Sequence, residues 1–135
     1  MSNLKVHHIG YLVKKMENAI RSFEALGYEL TQHTIYDEYR LVNICFLQKD
    51  GYRIELVSPV SDTSVVSGLM KKYKNSPYHI CYETEHFEAD YQELLTNGFL
   101  SIDTPTPAPA LEGRKVVFLM SPSLGMIELL QKIPG

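Results

Sequence analysis

Four residues of this chain have the donor chemistry to hold one divalent metal ion: His8, Glu55, His79 and Glu128. Imidazole nitrogen and carboxylate oxygen together suit an open octahedral site for Ni²⁺, Co²⁺, Mn²⁺, Fe²⁺ or Zn²⁺, with two positions left for water or substrate. The absence of thiolate from the set argues against a structural zinc. A single strand-borne histidine or glutamate is usually an ordinary core or surface residue. The spacing is what singles these out: 47 residues separate His8 from Glu55, and 49 separate His79 from Glu128.

That spacing belongs to an internal duplication. A shift of 71 positions aligns His7-His8-Ile9-Gly10-Tyr11 with Tyr78-His79-Ile80-Cys81-Tyr82, and the match runs on to Gly27 against Gly98. It resumes where Phe46-Leu47 meets Phe118-Leu119, and where Ile54-Glu55-Leu56-Val57 meets Ile127-Glu128-Leu129-Leu130. The step from Phe to Glu is nine residues in the first copy and ten in the second, which predicts hairpin turns of different length.

Each copy reads as strand, helix, then strands. Val6 to Val13 alternates like a half-buried strand. Met16, Ala19, Ile20, Phe23 and Leu26 then recur at helical spacing, and Gly27 stands where a helix C-terminus wants glycine. Phe87, Tyr91, Leu94, Leu95 and Gly98 repeat the pattern. Lys49-Asp50-Gly51 is a hairpin signal. Strand alternation sends Ile54 and Leu56 to one face and Glu55 to the other, with the same split around Glu128. The expectation is an α+β fold in one domain over residues 1–135: two tandem βαβββ modules, at about 4–60 and 77–133, whose open sheets form a cup-shaped, open-barrel arrangement. The linker, about 61–76, contains a candidate short helix from Val65 to Tyr73, and Thr104 to Pro109 reads as an extended, proline-stiffened loop.

Composition narrows the function classes. The 135 residues are 44% hydrophobic and 21% charged with a net charge of −3, which suits one globular domain and gives no nucleic-acid footprint. No run approaches the roughly 18 apolar residues of a membrane span. Met1 to Lys5 leads directly into a strand without a signal-like segment, so the expected location is the cytoplasm. Cys45 and Cys81 sit in apolar runs and read as reduced core residues. His7, His33 and His86 lack symmetric counterparts and read as surface residues.

On these residues the chain resembles the vicinal oxygen chelate superfamily of glyoxalases, epimerases, extradiol dioxygenases and bleomycin or fosfomycin resistance proteins. The resemblance runs from Val6 to Lys132. Its local text is most similar to methylmalonyl-CoA epimerases and lactoylglutathione lyase-like proteins. The carrying segments are His7-His8-Ile9-Gly10, Arg53-Ile54-Glu55-Leu56-Val57-Ser58-Pro59, Tyr78-His79-Ile80-Cys81-Tyr82-Glu83 and Gly113-Arg114-Lys115-Val116. Met120 departs from it, standing where epimerases commonly carry a histidine.

The resemblance implies a metal-dependent isomerase or lyase that takes a proton from the carbon next to a carbonyl, with Glu128 as base and Glu38 as the second acid. It implies epimerisation of a methylmalonyl-CoA-like acyl thioester first, glyoxalase I-type isomerisation of a hemithioacetal second, and a small-molecule-binding or resistance protein third. It also implies a homodimer.

Overall fold

The computed structural model describes residues 4–133. These residues form two compact units, one from His8 to Tyr78 and one that joins residues 4–7 to residues 79–133.

The first unit is built on β1 (Lys5–Leu12), α1 (Met16–Ala25), β2 (Glu29–Asp37), β3 (Val42–Lys49) and β4 (Tyr52–Pro59). β2, β3 and β4 pair antiparallel in sequence, and β1 returns beside β4 in parallel. A short helix, α2 (Ser67–Tyr73), follows within the expected linker. The second unit carries β5 (Ser76–Thr84), α3 (Phe87–Thr96), β6 (Leu100–Ser101), β7 (Thr106–Ala108), a 3₁₀ turn at Pro109–Leu111, β8 (Arg114–Ser121) and β9 (Gly125–Gln131). β5 runs parallel to β9, which pairs antiparallel with β8, while β6 and β7 both pair with β8. The α+β class and the two βαβββ modules are therefore what the chain forms.

The helix of each unit covers one sheet face for the same reason. In the first, Met16 and Ile20 of α1 pack on Cys45, Leu47, Ile54 and Leu56. In the second, Phe87 and Leu94 of α3 pack on Val117, Leu119, Ile127 and Leu129. Leu56 and Leu129, equivalent in the duplication, are both fully buried, each contributing about 1.5–3 kcal/mol of apolar transfer.

Backbone detail repeats as well. Gly27 has φ +97° and Gly98 φ +91°. Around them, Tyr28 N–H donates to Phe23 O and Gly27 N–H to Glu24 O, as Phe99 donates to Leu94 and Gly98 to Leu95. Both helices thus end in a Schellman motif, which requires the left-handed residue glycine supplies.

The two hairpins differ as the spacing requires. Asp50 (φ +52°) and Gly51 (φ +83°) make a two-residue turn with both dihedrals positive, the type I′ geometry that matches strand twist. Pro122, Ser123 and Leu124 make the other turn, one residue longer, between the paired Ser121 and Gly125. The extra residue is absorbed there, so Phe46 pairs with Glu55 and Phe118 with Glu128 alike.

The structure corrects one element. Thr104 to Pro109 is not loop throughout: Thr106–Ala108 pairs with β8 as β7. The second strand of the second module, the counterpart of β2, is split into β6 and β7 because proline cannot donate to a ladder and confines pairing to short edge pieces.

Candidate metal centre

In the first unit, β1 and β4 pair with Gly10 opposite Glu55. His8 lies two residues before Gly10 and so projects from the same face, away from α1. Its Nε2 is 3.4 Å from Glu55 Oε1. The second unit repeats this: Cys81 is opposite Glu128, and His79 Nε2 is 3.1 Å from Glu128 Oε1. His8, Glu55, His79 and Glu128 are exposed by only 1%, 4%, 3% and 3%, so these glutamates do not serve solvation.

An aromatic ring steadies each imidazole. Phe46, the partner of Glu55 on β3, meets His8 edge-on with ring centres 5.4 Å apart. Phe118, the partner of Glu128 on β8, meets His79 edge-on at 5.1 Å. A histidine, a glutamate and a phenylalanine on three neighbouring strands thus make one constellation, and the chain makes it twice. The sequence aligned the two phenylalanines but did not reveal their role, because that needs the β3–β4 and β8–β9 registers.

The residues fit a metal on donor chemistry and spacing. Two ligands at right angles on an ion, each bonded at about 2.0–2.2 Å, stand about 3 Å apart. The nitrogen-to-oxygen separations of 3.4 and 3.1 Å match a pair converging on one ion. Burial of a carboxylate is costly without a compensating charge, and a divalent cation supplies one.

The structure places Glu38 elsewhere. It is exposed in the turn that follows β2, past the last β2–β3 pair, Asp37 with Val42. Its neighbour Asp37 is buried and organises that turn: Oδ1 accepts from the Tyr39 and Arg40 N–H groups, each at 3.0 Å, and Oδ2 pairs with the Arg40 guanidinium at 2.8 Å. On β3, Val42 is four residues from Phe46, the partner of Glu55. At about 3.3 Å per residue that turn lies well along the strand from the His8–Glu55 pair. The site role expected for Glu38 has no geometric support.

Both cysteines are buried and neither is in a disulfide. Cys81 occupies the site-facing position opposite Glu128, where the first unit has Gly10. Cys45 faces the helix side, its Sγ 3.6 Å from Met16 Sδ. Burial, reinforced by Glu17 and Glu55, pushes its thiol up to about 12. His33 and His86 are exposed and His7 half-buried. Among the described residues no helix is long and apolar enough to cross a membrane.

Residues 7–118 match the family model of the Glyoxalase/Bleomycin resistance protein/Dioxygenase superfamily, and the chain belongs to that family. It is 25% identical over 132 residues to the mitochondrial methylmalonyl-CoA epimerase of Dictyostelium discoideum, covering 95% of this chain and 78% of the relative. A hypothetical protein from Bacillus halodurans C-125 shares the fold with a TM-score of 0.87 at 25% identity, over 99% of this chain and 98% of that one. Streptomyces coelicolor methylmalonyl-CoA epimerase, solved in complex with 2-nitronate-propionyl-CoA, superposes with a TM-score of 0.82 at 22% identity, over 98% and 100% of the two chains.

Proposed function

We propose that the two His–Glu pairs together hold one divalent metal ion and that the protein epimerises an acyl thioester of the methylmalonyl-CoA type. The observation that carries the reading is the duplicated buried pair, with nitrogen-to-oxygen distances of 3.4 and 3.1 Å on the face each helix leaves uncovered. The epimerase named for the Dictyostelium relative gives the substrate class.

In this reading the metal, when bound, lowers the energy of the negative charge that develops on the thioester oxygen as the neighbouring C–H is broken. The protein does the rest. Glu128 takes the proton from the carbon between the two carbonyl groups, and the electron pair of that C–H bond is delocalised onto the thioester oxygen. Return of a proton to the opposite face inverts the centre. Glu55, equivalent to Glu128 in position and burial, is the better donor for that step than the exposed Glu38. Phe46 and Phe118 hold the imidazoles and keep water from the two pairs.

The test is deuterium incorporation at C2 of methylmalonyl-CoA in D₂O, followed by NMR with Co²⁺-loaded protein. Metal-dependent exchange that is lost in Glu128→Gln supports the reading. Absence of exchange with metal bound removes it. A second reading, hemithioacetal isomerisation, draws on the exposure of Glu38, because a 1,2-proton shift needs a single base and Glu128 suffices. Turnover of a glutathione hemithioacetal without exchange of the thioester would favour it.

A further inference from the structure

The duplication makes the two halves of the proposed centre equivalent in histidine, glutamate and phenylalanine, so none of these can tell one end of a substrate from the other. The next ring of residues does differ. In the first unit, the β1–β4 pairing of Ile9 with Ile54 puts His8 level with Arg53, and Arg53 pairs across to Gln48 on β3. Arg53 and Gln48 are each two residues from Glu55 and Phe46, so all four belong to the site-bearing face. In the second unit the same positions are Met126, paired with His79, and Met120, paired with Met126. Exposure follows the same pattern. Arg53 and Met126 are half-buried, while Gln48 and Met120 are exposed, the latter by 40%.

One histidine therefore has a guanidinium and a carboxamide beside it, and the other has two thioethers. A guanidinium presents a planar fork of N–H donors that matches a carboxylate. Thioethers are soft, polarisable and apolar, and adapt to an alkyl chain or another sulfur.

Resting on the metal-centre reading above, we infer that this asymmetry sets substrate polarity. Arg53, with Gln48, seats a carboxylate carried by the acyl group, and Met126 with Met120 seats its alkyl or thioester-sulfur side. Arg53 is a specificity-determining residue, and the substrates are acyl thioesters with a free carboxylate on the reacting carbon, in preference to uncharged acyl groups or hemithioacetals.

The experiment is calorimetric titration of methylmalonate, a dicarboxylate without the thioester, into wild-type protein, Arg53→Met and the control Lys72→Met. It is run with and without Co²⁺, with thermal melts to establish folding; Arg53→Gln replaces Arg53→Met if the latter is unstable. Loss of a charged hydrogen-bonding partner predicts affinity weakened by about 10- to 100-fold in Arg53→Met. Lys72→Met, which removes an equal charge from exposed α2 outside the centre, stays within about twofold. In the exchange assay Arg53→Met raises KM for methylmalonyl-CoA while kcat holds, and leaves propionyl-CoA binding unchanged.

Equal methylmalonate affinity in wild type and Arg53→Met overturns the assignment, as does no binding to wild type at millimolar concentration. Either result leaves metal binding intact if the reading above is right. A protein that binds no Co²⁺ fails that reading, and the metal-free titration still decides the role of Arg53.

Discussion

Glu128 and Glu55 are chemically identical, equally buried and each within 3.4 Å of an imidazole, so the proposal stands or falls on what each does to a proton. Glu128→Gln keeps size and removes basicity. Loss of a general base should lower α-proton exchange by about 10²- to 10⁴-fold, measured by NMR at saturating Co²⁺. Glu55→Gln should slow net epimerisation more than it slows exchange, because it removes the returning acid; equal losses would place both steps on one carboxylate. Cys45 has a different, pH-linked part. Its thiol is held protonated to about 12 by burial first, then by Glu17 and Glu55, whereas an unfolded cysteine titrates near 8.5. The native state therefore binds more protons than the unfolded chain between those values. The stability contributed is complete below the unfolded pKa and declines as pH rises toward 12, with a slope approaching about 1.4 kcal/mol per pH unit. Urea denaturation at pH 8 and pH 10 should show Cys45→Ala losing less stability over that interval than wild type.

The elements show how much of this was legible beforehand. α1 and α3 were readable because their apolar spacing and terminal glycines coincide, and the structure ends both in the same left-handed turn. Nothing lies within 4 Å of a Cβ added at Gly98, so Gly98→Ala isolates the backbone cost. It should destabilise by about 1–2 kcal/mol, read from a urea midpoint, with metal affinity unchanged. Strand pairs flanking β4 and β9 were readable from alternation. β7 was not, because Pro107 within it and Pro105 and Pro109 beside it announce a loop, and only pairing with β8 makes it a strand. Glu38 was placed by sequence beside a strand, but the chain has already turned there, and buried Asp37 holds that turn from within. The ring contacts of Phe46 and Phe118, and the contrast of Arg53 with Met126, depend on cross-strand register. Composition and spacing do not specify register; the hairpin lengths do.

At the scale of the whole chain, duplication is the organising fact. Two modules of one design, the second with a hairpin one residue longer and its second strand split, give two buried His–Glu pairs of matching geometry. Either pair alone is a bidentate arrangement with half of a metal's protein ligands. The central claim is that the two act as one centre, and cobalt stoichiometry tests it most directly. Purified apo-protein is titrated with Co²⁺ and followed by visible absorption and equilibrium dialysis, alongside His8→Ala and His79→Ala. One Co²⁺ per chain, with binding severely weakened by either substitution, is the predicted result. Two ions per chain, each lost with only its own histidine, or no Co²⁺ bound at all, would contradict it.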